Sequence, residues 1–91
     1  MGEIDAALRP VIGQSLRLQW ESAQQAHVLL YPEGMVKLNA SAAEILTRCD
    51  GVRTVADIIG ELEQTYSAGL GQDVLAFLAL ALERNWLELR P

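Results

Sequence analysis

The hydrophobic and polar positions of this chain change period midway, and the change predicts its architecture. Leu16-Arg17-Leu18-Gln19-Trp20-Glu21 alternates with Leu16, Leu18 and Trp20 on one face, the period-two pattern of a half-buried strand. Ser22 to Gln25 is a polar connection, and Ala26 to Tyr31 is a second strand. Val28 and Leu30 face one way in it, Leu29 and Tyr31 the other. Pro32-Glu33-Gly34 carries turn chemistry, with proline fixing φ and Gly34 free to take a positive φ. Met35 to Asn39 then returns as a third strand, an edge, with Val36 and Leu38 on one face and Met35 and Lys37 on the other.

From Ser41 the period lengthens to that of a helix. Ser41 and Glu44 fit a capping box, with Ile45, Leu46 and Cys49 turned inward and Asp50-Gly51 as the stop. Thr54 to Asp57 fits a second box, opening a helix whose stripe is Val55, Ile58, Ile59, Leu62 and Tyr66. Asp57, Glu61 and Glu63 read as a solvated face. The third helix, about 70–84, is different. Its apolar residues cover about 200° of its circumference, roughly twice the arc a core-facing helix needs, and Leu80 is apolar even within the polar sector. A chain of 91 residues has little material to bury several sides of a helix, so a partner is expected there. Residues 1–14, around Pro10 and Gly13, hold no period and read as a tail or irregular arm before a single domain over 15–91. The fold class is α+β, a three-stranded antiparallel meander followed by three helices, winged-helix-like in permuted order.

Composition narrows the function. The chain is 51% hydrophobic with net charge −5, from seven basic and twelve acidic residues. The basic residues are scattered, which disfavours nucleic acid, where Lys and Arg must replace counterions. No window is long and apolar enough to span a membrane, the N-terminus lacks the pattern of a signal peptide, and Met1-Gly2 is followed at position six by Ala6 instead of the Ser or Thr of a myristoylation start. A cytoplasmic protein without metal or cofactor is expected. Cys49 is the single cysteine and sits at a core position. It would need a base to act as a nucleophile, and the single histidine, His27, reads as an exposed strand residue. Trp20 and Trp86 read as core lids. Lys37 either guards an edge strand against aggregation or meets an acidic group of a partner.

Trp20-Glu21, Leu29-Leu30-Tyr31-Pro32-Glu33-Gly34, Leu38-Asn39, Ile45-Leu46, Cys49-Asp50-Gly51, Asp73-Val74, Phe77-Leu78 and Trp86-Leu87 together resemble the PqqD family of pyrroloquinoline quinone (PQQ) biosynthesis, over about residues 15–90. Asn85 stands where the family usually has glycine, and asparagine also suits a left-handed cap. The resemblance implies a non-catalytic peptide chaperone, a recognition element for ribosomally made and post-translationally modified peptides. It would bind the precursor peptide PqqA and present it to the radical SAM enzyme PqqE, which joins a glutamate and a tyrosine of that peptide. In related domains the peptide adds as a strand to the third strand and lies against the third helix. The expected contacts are therefore Met35, Val36, Lys37 and Leu38 on the strand, and the helix stripe Asp73, Phe77, Leu80 and Arg84, with Ala81 leaving room for a peptide side chain. The opposite line Leu75, Ala79, Leu82 is the alternative wall. A dimerisation module pairing through the third helix, and a winged-helix regulator, are the rival classes.

Overall fold

A computed structural model describes residues 4–91; Met1-Gly2 and the start of the expected arm lie outside the described residues. The elements run β1 (Arg9–Ile12), β2 (Arg17–Glu21), β3 (Ala26–Tyr31), β4 (Gly34–Lys37), α1 (Ala40–Leu46), α2 (Val55–Thr65), α3 (Gly71–Glu83) and β5 (Leu87–Arg90). The meander is present as an antiparallel sheet ordered β2-β3-β4. Its register sets Leu18, Leu29 and Val36 side by side, on the face that packs against the helices. Leu29 and Leu38 are buried there together with Ile45, Leu46, Val55, Ile58, Val74 and Leu78.

Several sequence expectations change in the structure. Part of the arm is a strand: β1 pairs antiparallel with β5 over Arg9↔Arg90 to Ile12↔Leu87. Two short strands from opposite ends of the chain have too few residues to show a period. Gly51 N–H donates to Pro10 C=O at 2.9 Å and Gly13 N–H to Trp86 C=O at 3.0 Å, tying that ribbon down. Gly51 has φ +80°, and a Cβ there would meet Val11 at 3.4 Å, so its left-handed backbone serves β1 as much as the end of α1, which already stops at Leu46.

The cap of α1 also moves. Asn39, still extended at φ −76°, ψ 172°, accepts from Ala42 N–H at 2.8 Å, two residues earlier than the Ser41–Glu44 box would. A short polar residue directly after a strand satisfies the first free N–H as soon as the chain turns. Glu44 is thereby released to pair with Arg48 at 2.8 Å and to accept from the Tyr66 hydroxyl. Tyr66, expected on the buried stripe of α2, is 58% exposed and lies just beyond the last turn.

The α2 box is as expected. Thr54 accepts from Asp57 N–H at 3.0 Å and Asp57 accepts from Thr54 N–H at 2.9 Å. The supposedly idle acidic face is occupied: Glu61 pairs with Arg48 and Arg53, and Glu63 accepts from the N–H groups of Gly69 and Leu70 at 3.0 and 2.9 Å. At the end of α3, Asn85 takes φ +61°. Trp86 N–H then donates to Ala81 C=O at 2.8 Å and Asn85 N–H to Leu82 C=O at 3.0 Å, the paired bonds of a Schellman close. That close turns the chain from α3 into β5.

Candidate functional site

Backbone direction decides which residues of β4 are free. Leu38 N–H donates to His27 C=O at 3.0 Å, so odd-numbered residues of β3 turn their backbone groups toward β4. Even-numbered residues of β4 answer them, because both groups of a residue lie on one side in an antiparallel pair. Met35 and Lys37 therefore present their N–H and C=O groups at the open edge, since β4 is the last strand of its sheet. Their side chains are exposed on the outer face, while Val36 is half-buried and Leu38 buried against the helices. The four expected edge residues divide in two: Met35 and Lys37 offer backbone, Val36 and Leu38 anchor the strand.

Two clefts relate helix α3 to this strand, the end of α3 to β4 and the start of α3 to the residues after β4. One cleft is lined by Val36 together with Arg84 and Trp86 from its end. Another is lined by Ala40 and Ser41, just after β4, with Leu70, Asp73 and Val74 from its start. The stripe Asp73, Phe77, Leu80, Arg84 thus spans from one cleft to the other. Asp73 and Arg84 are exposed, Phe77 is half-buried against the core and Leu80 is 38% exposed. Arg84 sits over the Trp86 ring, 5.5 Å from its centre, which holds the guanidinium at the mouth of one cleft.

Ala81 does not join them. It is fully buried with Val74 and Leu78, so its small side chain lets α3 sit close to the core and leaves no opening for a ligand. Of the alternative line, Leu75 and Leu82 pack partly against the core and Ala79 is exposed.

Little here could perform covalent chemistry. Burial pushes the Cys49 thiol up to about 12, and its S–H donates to Ile45 C=O at 3.3 Å, leaving no thiolate to attack at neutral pH. Among the described residues no cluster of His, Cys, Asp and Glu could hold a metal ion, and no helix is long and apolar enough to cross a membrane. Trp86 is nearly buried, as a core lid should be, but Trp20 is 52% exposed. Its ring meets His27 edge to face at 5.2 Å, above a cleft bordered by Gln25, Glu44 and Thr47. Strand alternation put Trp20 on the core-facing side correctly; it could not show that the helices stop short of that corner.

Residues 26–87 match the family model for coenzyme PQQ synthesis protein D (PqqD). Curated relatives include a "PqqA binding protein" of Stutzerimonas stutzeri, 51% identical over 99% of this chain and 100% of the relative. This chain belongs to the PqqD family. A second PqqA binding protein, from Azotobacter vinelandii, is 54% identical over 88% of this chain and 89% of the relative. Among solved structures, the solution NMR structure of the PqqD truncation of Methylobacterium extorquens PqqCD covers 87% of each chain. It does so at 34% identity and TM-score 0.71, and it is described as a functional, stand-alone recognition element for ribosomally synthesised and modified peptides. The PqqD match begins at β3 and continues to the first residue of β5. It therefore contains the open β4 edge and all of α3.

Proposed function

We propose that this PqqD-family protein is a non-catalytic peptide chaperone of the cytoplasm that binds the precursor peptide PqqA and presents it to the radical SAM enzyme PqqE. The peptide adds as a strand to the β4 edge, with backbone bonds to Met35 and Lys37, and its inward side chains rest on Phe77 and Leu80 between Asp73 and Arg84. The observation that carries this reading is the open β4 edge together with apolar α3 surface, Leu80 above all, that the core leaves exposed. Strand addition supplies affinity at little sequence cost, and the adjacent wall supplies specificity. The names of the curated relatives supply the peptide.

Each large peptide side chain buried on that wall contributes about 1.5–3 kcal/mol before ordering costs. Two or three of them together with the backbone bonds support a complex of about micromolar affinity or tighter. Calorimetric titration with PqqA tests this on wild type, Leu80→Asp and Lys37→Pro. Proline at 37 removes an outward N–H while sparing the bonds to β3. Saturable one-to-one binding, weakened about tenfold or more by either change in a folded protein, is expected. Binding untouched by both would move the groove off β4 and α3. No binding with PqqE also present would end the chaperone reading, and a ternary complex on gel filtration is the outcome expected for presentation.

A further inference from the structure

The two charges on the outer stripe of α3 have no match within the chain. Arg48 and Arg53 are both engaged by carboxylates, whereas among the described residues neither Asp73 nor Arg84 takes part in an ion pair. Both stand where the helix dipole favours their sign, Asp73 in the first turn and Arg84 at the C-cap. The dipole explains the signs, but not why each charge is exposed at a cleft. The cleft that Asp73 borders has a volume of about 230 Å³ and no Lys or Arg in its lining. Its other carboxylate, Glu44, is already taken by Arg48 and the Tyr66 hydroxyl. The second cleft holds Arg84, steadied by the Trp86 ring; Glu33 also lines it but makes no ion pair there. One end of the wall thus offers a free anion and the other a free cation.

The helix fixes the distance between them. Asp73 and Arg84 stand eleven residues apart on α3, about 16 Å at about 1.5 Å per residue. The strand side agrees, since Val36 borders the Arg84 cleft and Ala40, four residues on, borders the Asp73 cleft. An extended peptide advances about 3.4 Å per residue and turns alternate side chains to one face. Two side chains that both reach the wall are therefore an even number of residues apart. Four residues cover about 14 Å and six about 20 Å; four is the closer fit, and the length of a Lys or Arg side chain bridges the remainder. The residue midway falls on Phe77 and Leu80. Direction follows from β4, which runs from the Arg84 cleft toward the Asp73 cleft. A peptide pairing antiparallel, the more stable arrangement per residue, meets Asp73 first.

We propose that the α3 wall selects a charge pattern in the peptide: a Lys or Arg at Asp73, an apolar residue two positions later on Phe77 and Leu80, and an Asp or Glu four positions after the first at Arg84. The inference rests on the proposed binding of PqqA along β4 and adds the order and spacing of the charges recognised.

Calorimetric titration tests it on wild type, Asp73→Lys and Arg84→Glu, with circular dichroism confirming the fold. The probes are PqqA and a panel of PqqA peptides, each reversed in charge at one ionisable residue. Each protein variant should bind unmodified PqqA about tenfold more weakly, because like charges then face each other. One peptide reversed at a basic residue should regain affinity for Asp73→Lys, and one reversed at an acidic residue four positions later should regain it for Arg84→Glu. A merely structural role of either charge in α3 would give no such exchange. Wild type that binds PqqA while no peptide in the panel rescues either variant overturns the charge pattern and leaves the chaperone reading standing. Rescue with the acidic position first, or at another spacing, overturns the pattern as well. Wild type that fails to bind PqqA at all ends both.

Discussion

Helices α2 and α3 neighbour each other in sequence and share one core, yet they are built to different ends. The apolar stripe, the cap and two acidic side chains of α2 are all committed to the fold. Val55, Ile58 and Leu62 are buried, Thr54 and Asp57 cap its start, and Glu61 and Glu63 hold neighbouring segments. Helix α3 follows Leu70, which gives it no side-chain cap; Glu63, reaching over from α2, accepts instead from the N–H groups of Gly69 and Leu70 just before its first turn. Its buried line is Val74, Leu78 and Ala81, but apolar residues continue past it to Phe77 and the exposed Leu80. In the proposed function, that excess apolar surface is the wall that receives the peptide, and it is what separates α3 from the scaffold.

The comparison breaks most sharply at two leucines of α3. Leu78 is fully buried, so Leu78→Ala should cost about 2–5 kcal/mol, read by urea or thermal denaturation. Leu80→Ala, two residues on, removes the same atoms from a surface position. It should change stability by no more than about 0.5 kcal/mol while weakening peptide binding. If Leu80→Ala were as destabilising as Leu78→Ala, the outer flank of α3 would be structural and the excess illusory.

Legibility followed the range of the interactions. The meander was readable because a turn joins β3 to β4 and alternation holds over adjacent residues, and the α2 box was readable because all its partners lie within four positions. The β1–β5 ribbon was not, because its partners lie at opposite ends of the chain and each strand has only four residues. Ser41 lost the α1 cap to Asn39 because both are good capping residues and only the point where β4 ends decides between them. Within the candidate site, periodicity found the stripe Asp73, Phe77, Leu80, Arg84 but placed Ala81 beside it. A small residue at the margin of a helical face can lie on either side of the boundary, and packing draws Ala81 into the core. The division of β4 into backbone-offering Met35 and Lys37 and anchoring Val36 and Leu38 needed the bond from Leu38 to His27. Sequence carries no trace of that phase.

The smaller effects belong to the committed helix. Thr54→Ala removes the acceptor for Asp57 N–H and should cost about 1 kcal/mol in the same denaturation experiment, without touching peptide affinity. A pH series reaches the acidic partners. Hydrogen bonds from the backbone and side chain of Thr54 hold the Asp57 carboxyl below its ordinary 3.8, and those from the backbone N–H groups of Arg53 and Val52 do the same for Asp50. The Tyr66 hydroxyl, with Arg48 after it, lowers Glu44 from 4.5. A carboxyl more acidic in the folded protein than in the unfolded chain contributes in full above its unfolded value. That contribution disappears as the pH falls through the folded one. Stability should therefore decline as the pH is lowered from about 5 to 3, and Asp57→Asn should make the decline shallower, because one of the linked groups no longer titrates. An unchanged slope in Asp57→Asn would mean that its bonds to Thr54 do not persist in solution, and the distinction between a capped α2 and an α3 held from outside would lose its electrostatic half.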